Sequence, residues 1–376
     1  MNKHKLIISR RSHIPVWFRA LNILLFAFLA LAFCSIFMVM QGLNPFRVYF
    51  NMFRSAFGSA NGWSKSILAG IPLMICGLGV SIAFRMNLNN IGAEGQFAMG
   101  AIASAGFILF GPKIPSSLQI PVMIVLSLLA GAGWALIAAL LKAFWNVNET
   151  IVTLMLNYIA LLFLDYLCYG PWKGAGGLNL PYTANIPETA QMPMLFGGSF
   201  SSAFLIAVAV AVFLFWLFRY TTIGYQIDVI KNSTNAARYA GMNVRKNILI
   251  VLTVSGALCG LTGAVQVSSV IYRLQPNLPN GAGYTAIIIA YLSKFNPLAI
   301  ILVSIFFGGL DRGAYAVQID GVPSQVATMI RGAILIFVIA SEFFTQYRIK
   351  RTTMAMENQT KQKKQILIKT VAQKEG

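Results

Sequence analysis

Apolar residues in this chain gather into long blocks, unlike the short alternating runs of a half-buried sheet. A helix needs about 20 mainly apolar residues to cross the hydrocarbon of a bilayer. Clear stretches without Asp, Glu, Lys or Arg run over residues 20–40, 66–84, 116–141, 197–218 and 248–272. Weaker ones cover 95–111, 150–169 with Asp165 inside, 284–292, 295–310, and 322–344 with Arg331 and Glu342 inside. The pattern predicts an all-α polytopic membrane protein of ten transmembrane helices, one of them short or broken. The short one is 284–292, which follows Pro276, Pro279, Gly281 and Gly283 and reads as a broken or re-entrant element. Between the first two spans, Phe46, Tyr49, Phe50 and Phe53 recur at helical spacing with Arg47 and Arg54 among them. That predicts a helix lying in the outer interface.

Composition agrees. Of 376 residues, 57% are hydrophobic and 10% charged, whereas a soluble domain carries about 25% charged residues. The 29 Lys and Arg against 10 Asp and Glu leave a net charge of +19, which in a soluble protein would suggest nucleic acid. Here the bases sit in tails and loops between apolar blocks, so membrane lipid is the expected anionic partner and nucleic acid is not. With the N-terminus inside, ten crossings put 21 of the 29 bases on the cytoplasmic side and leave 8 for the rest of the chain. Both termini are therefore expected in the cytoplasm. The first apolar block has 21 uncharged residues, longer than the roughly 7 to 15 of a signal-peptide core, and reads as a retained helix. The expected organisation is a basic cytoplasmic N-terminus (1–19), a transmembrane domain (20–346), and a basic cytoplasmic tail (347–376), disordered or lipid-associated. Within the domain lie an external loop (170–198), rich in Gly and Pro, and a cytoplasmic loop (219–247).

Motifs for catalysis are missing. The nearest approach to a phosphate-binding loop, Gly58 to Ser66, lacks the adjacent Gly-Lys and falls on the predicted outer side. No GxSxG, HExxH or EF-hand pattern occurs. Cys34, Cys76, Cys168 and Cys259 are far apart in sequence, and His4 and His13 are the sole histidines. We therefore expect no catalytic residues, no metal and no cofactor, with the cysteines acting as small buried hydrophobes. Any energy source belongs to a partner.

Three polar stretches remain. In residues 85–100, Asn87, Asn89, Asn90, Glu94 and Gln96 crowd a segment at or within the membrane, with Gly92 and Gly95 permitting close backbone approach. Two readings stand: polar backbone lining a pathway, and a cytoplasmic turn leading into a helix whose dipole favours Glu94. Thr150, Thr153 and Asn157 recur at three and four residues and share a helix face. Solute contact and helix-to-helix hydrogen bonding both account for that face. Loop 219–247 predicts a helix over 225–231 and another over 235–240, ended by Gly241. Tyr225, Ile227, Val229, Ile230 and Tyr239 there suit a docking surface better than a solvated linker. Beyond it, Gly256 and Gly260 at GxxxG spacing permit close helix packing.

These stretches, in this order, resemble the permease subunit of bacterial ABC importers, in the nucleoside and simple-sugar branch of the branched-chain amino acid and ribose permease family. The resemblance rests on NIGAEGQFAMGA (90–101), ETIVTLMLNYIA (149–160), TTIGYQIDVIKNSTNAARYAGMNV (221–244), SGALCGLTGA (255–264) and GYTAIIIAYLSKFNP (283–297), and covers 45–347. The first two blocks look most like nucleoside permeases. Ile227-Asp228 stands where relatives often carry a basic residue. The resemblance implies a multi-pass bacterial plasma-membrane subunit that is not an enzyme. It implies separate ABC ATPase subunits, a second permease chain, identical or homologous, and an external binding protein or lipoprotein. It implies a nucleoside pathway bordered by Asn87, Asn90, Glu94, Gln96 and Asn157, and ATPase coupling through Tyr225, Asp228, Asn235, Ala237, Arg238 and Gly241. The alternatives are a simple-sugar cargo on the same machinery and, in another class, a self-sufficient secondary transporter or channel.

Overall fold

A computed structural model describes residues 4–11, 15–174, 180–195, 200–319 and 322–353. The helices among them are α1 (Val16–Met40), α2 (Pro45–Phe57), α3 (Ala60–Arg85), α4 (Ala93–Phe110), α5 (Ser116–Trp145), α6 (Glu149–Tyr169), α7 (Ser202–Tyr220), α8 (Thr222–Asn232), α9 (Thr234–Tyr239), α10 (Val244–Val265), α11 (Ala282–Leu292), α12 (Pro297–Ile319) and α13 (Ser324–Gln346). Short strands are β1 (His4–Arg10), β2 (Met194–Leu195), β3 (Phe200–Ser201) and β4 (Tyr347–Thr353). Each of the ten apolar stretches forms a helix. Among the described residues, eight helices are long and apolar enough to cross a membrane. The other two fall short: α11 has 11 residues, and the apolar part of α13 is confined to Gly332–Thr345.

The chain divides into two compact units, Met1–Gly42 with Met329–Gly376, and Leu43–Thr328. In the first, α1 runs antiparallel to α13. Asn22 Nδ2 donates to Thr345 Oγ1 (3.1 Å), and the rings of Phe26 and Phe344 stack with centroids 5.4 Å apart. β1 and β4 continue this pairing antiparallel, from Arg10 opposite Tyr347 to His4 opposite Thr353. Residues 348–353, expected as part of a disordered or lipid-associated tail, form a strand. Leu6, Ile7 and Ile8 of β1 favour extended backbone, and β4 completes their ladder. The rest of the tail lies outside the described residues.

In the second unit α3 is the central element, buried without interruption from Gly70 to Phe84. A helix apolar on all sides belongs inside a bundle, and α10, α11 and α12 surround it. α10 packs against α5 through glycine: a methyl on Gly260 would stand 2.8 Å from the Cα of Gly131. The GxxxG spacing thus brings two backbones together. α2 is amphipathic as predicted. Asn44 caps it by accepting from the N–H groups of Phe46 and Arg47 (3.1 and 3.3 Å). Val48, Met52 and Ala56 face the bundle while Phe46, Phe50 and Phe53 are exposed. Part of loop 170–198 lies along the end of α10: the N–H groups of Thr183, Ile186 and Met192 donate to the carbonyls of Leu274, Tyr272 and Ser268. There α10 passes into a π-helical turn, Gln266–Ile271, closed by Tyr272 in the left-handed conformation (φ 62°).

Candidate functional site

Between α3 and α4 the chain leaves helical geometry for residues 86–92, and this segment is the polar centre of the molecule. Its free backbone groups need partners, and α6 supplies them from one face. The N–H of Asn89 donates to Glu149 Oε1 (3.2 Å), that of Ile91 to Thr153 Oγ1 (3.3 Å), and that of Gly95 to Asn157 Oδ1 (2.8 Å). Asn157 Nδ2 returns a bond to the Ile91 carbonyl (2.7 Å). Residues 149, 153 and 157 stand four apart, so they form a straight ladder up the helix. Thr150, expected on this face, lies beside it, and Glu149 takes its place. Glu149 is also paired with Lys142 Nζ (2.9 Å).

Asn90 and Gln96 face each other as paired amides: Asn90 Nδ2 donates to Gln96 Oε1 (2.9 Å) and Gln96 Nε2 to Asn90 Oδ1 (3.0 Å). Asn90 Nδ2 also reaches Ser255 Oγ on α10 (2.9 Å). Asn90, Glu94, Gln96 and Asn157 are buried in the chain, at most 1% exposed. An unpartnered polar group in such surroundings costs several kcal/mol, which the mutual bonding removes.

Glu94 stands in the first turn of α4, and its carboxylate reaches the start of a second helix. Gly281 N–H donates to Oε1 (2.7 Å) and Gly283 N–H to Oε2 (2.6 Å). One negative charge thus serves the N-terminal dipoles of both α4 and α11. Contact this close requires glycine, since a methyl on Gly283 would collide with the backbone of Glu94. Gly281 supplies the left-handed turn (φ 79°) that opens α11.

Asn87 does not join this group. It adopts φ 59°, is exposed, and donates from Nδ2 to the carbonyl of Lys231 at the end of α8 (3.1 Å). Next to it, Arg85 grips Asp228 of α8 with both arms of its guanidinium and stacks over Phe218 at 4.5 Å. Helix α8 of loop 219–247 is thereby tied to the segment that carries the polar centre. The sequence did not single out Arg85, although its place at the junction of an apolar helix and a polar turn was legible.

The loop itself folds as its pattern predicts. Thr221 Oγ1 caps α8 at Gly224 N–H (3.3 Å), and Ser233 Oγ caps α9 at Ala236 N–H (3.2 Å). Gly241 ends α9 at φ 75°, in the left-handed region. Tyr225, Asn235, Arg238 and Tyr239 are exposed, whereas Ala237 is fully buried within the chain. Among the described residues no group of three His, Cys, Asp or Glu is arranged to hold a metal. All four cysteines are free and buried.

Membrane-length helices packed around a hydrogen-bonded polar centre, with a folded loop fixed to the segment that carries it, are the architecture of a polytopic membrane protein. The chain belongs to the family described as branched-chain amino acid transport system / permease component, which it matches over residues 62–339. It is similar to the glucose ABC transporter permease protein TsgB13 of Haloferax volcanii, 31% identical over 92% of this chain and 93% of that one. It is also similar to the guanosine ABC transporter permease protein NupP of Bacillus subtilis, 29% identical over 89% and 95% of the two chains. The nucleoside ABC transporter permease protein NupB of Lactococcus lactis is 26% identical over 88% and 93%. The protein is a multi-pass plasma-membrane permease component.

Proposed function

We propose that this chain is the transmembrane subunit of an ABC importer for nucleosides. Two permease chains, identical or homologous, enclose one pathway; ATPase subunits dock on the exposed face of α8 and α9, and an external binding protein or lipoprotein delivers the cargo. The observation that carries this reading is the double attachment of α8 to the end of α3. Arg85 holds Asp228 and Asn87 holds the Lys231 carbonyl, so a push on α8 is delivered to the residues leading into Asn90, Glu94 and Gln96. Such a lever suits a rigid-body change between two states driven from outside the chain. The polar centre borders the pathway, and its amides are satisfied by one another in the conformation described.

In this reading the chain crosses ten times, with α11 and α13 completing the count, and both ends are cytoplasmic. Pairing of β1 with β4 supports an even number of crossings, because it holds the two ends of the chain side by side. A nucleoside cargo has support from the guanosine and nucleoside relatives and a glucose cargo from TsgB13. The test is ATP-dependent uptake of labelled guanosine and glucose into proteoliposomes holding the chain, its ATPase and its binding protein. Uptake of guanosine is expected. Uptake of glucose alone reassigns the cargo, and uptake without the ATPase makes the chain a self-sufficient transporter.

A further inference from the structure

The exposed faces of the long helices are largely apolar. On α5 the exposed large side chains, from Leu118 through Leu129 to Trp145, are apolar, and so are those of α7 from Leu205 to Trp216. Faces of this kind suit lipid. α6 likewise exposes Ile151, Met155, Ile159 and Leu162, but among them stand Tyr158, Tyr166 and Tyr169. The last two lie near the helix end, where an aromatic belt at the membrane boundary accounts for them. Tyr158 is the tenth of the 21 residues of α6, about 15 Å along the axis from either end. A belt does not explain a tyrosine at that depth, and acyl chains offer its hydroxyl nothing.

α11 presents the same chemistry beside it. Tyr284 Oη accepts from Nδ2 of Asn157, the residue before Tyr158 (3.3 Å). Both rings are open, Tyr158 at 55% and Tyr284 at 37%. Their mountings are rigid. Asn157 is fixed by Gly95 and Ile91, and the first turn of α11 is fixed by Glu94. Two amphipathic rings held beside a buried polar network, one of them at mid-depth, make a binding surface: each ring gives a flat apolar area with few rotatable bonds and a hydroxyl at its edge.

We propose that Tyr158 and Tyr284 line the pathway and contact the transported solute, stacking on the flat heteroaromatic base of a nucleoside. The buried amides beneath act as positioning residues, with Asn157 setting Tyr284. This rests on the transport function proposed above and names the surface on which cargo is recognised within the membrane. Stacking is tolerant of base identity, which suits a permease that must release what it holds.

The experiment uses the assembled transporter in proteoliposomes. Because the four native cysteines are buried, Tyr158→Cys and Tyr284→Cys are compared with Leu129→Cys and Val212→Cys on the lipid-type faces. A charged thiosulfonate reagent, which needs a hydrated thiolate, is expected to modify positions 158 and 284 about tenfold faster than 129 and 212. Guanosine is expected to slow that reaction, and glucose is not. Tyr158→Ala is expected to lower guanosine uptake efficiency about tenfold, with Tyr158→Phe restoring it.

Equal inertness at 158 and 129, both at rest and with nucleotide trapped on the ATPase, overturns the proposal and means that this face packs against lipid or the second chain. Ready modification without guanosine protection, together with full uptake by Tyr158→Ala, also overturns it. Protection by glucose alone overturns the base class. Failure of the unaltered protein to take up guanosine counts against the functional reading, and the thiol comparison, which needs no cargo, still decides the lining.

Discussion

Arg85, the last residue of α3, and Asp228, in the middle of α8, are joined by two parallel bonds, Nε to Oδ1 at 2.9 Å and Nη2 to Oδ2 at 2.8 Å. The carboxylate side chain is 44% exposed, and pairs of that kind contribute only about 0.2–1 kcal/mol to stability. Their use is geometric, since the fork fixes the direction in which α8 can pull on α3.

Replacing Asp228 by Ala or Arg85 by Lys is therefore expected to leave the amount of protein in the membrane unchanged and to uncouple ATP hydrolysis from uptake. Lys keeps the charge but loses the fork. The exchanged pair Arg85→Asp with Asp228→Arg should recover part of the coupling. Measured coupling ratios that stay equal to the unaltered protein in both single variants would remove the lever from the mechanism.

Glu94→Gln should loosen the start of α11. An amide keeps one acceptor oxygen, so one of the Gly281 and Gly283 N–H groups loses its partner. A buried bond to a charged group lost in this way costs about 1.5–3 kcal/mol. The melting temperature in nanodiscs should fall, and Gly283→Ala, which forces Cβ onto the Glu94 backbone, should lower it too. An unchanged melting temperature for both would mean that this contact is not part of the folded core.

In the loop, two classes of variant should separate. Gly241→Val places a β-branched residue at φ 75°, at a cost of about 1–2 kcal/mol. Ala237→Glu buries a charge inside the chain itself, since Ala237 has no exposed surface. Both should expose α9 to limited proteolysis. Tyr239→Ala, at a side chain 94% exposed, should keep α9 intact and reduce binding of the ATPase subunit. Proteolysis patterns with a pull-down of the ATPase read the two effects separately.

Reporter fusions test the crossing number. A fusion after Lys350 should report cytoplasm and one within residues 180–190 the exterior. A C-terminus found outside, with the N-terminus inside, would make the count odd and break the pairing of β1 with β4 in the membrane.

Sequence alone determined the ten apolar helices, the amphipathic α2 and the two loop helices with their stop at Gly241. Each of these depends on a local quantity: the length of an apolar run against bilayer thickness, a 3.6-residue period, or a glycine where backbone must turn left-handed. Sequence also marked Asn90, Glu94, Gln96 and Asn157 as polar groups too costly for lipid. What they meet was decided by tertiary structure. Glu94 finds its partners 187 and 189 residues away, and Asn90 finds Ser255 across 165; no periodicity along the chain encodes such a meeting. The same holds for Ala237, which the pattern put on a docking face and packing put inside, and for Asn87, which left the polar centre for α8. Burial is settled by which elements surround a residue, and that is a property of the assembled bundle.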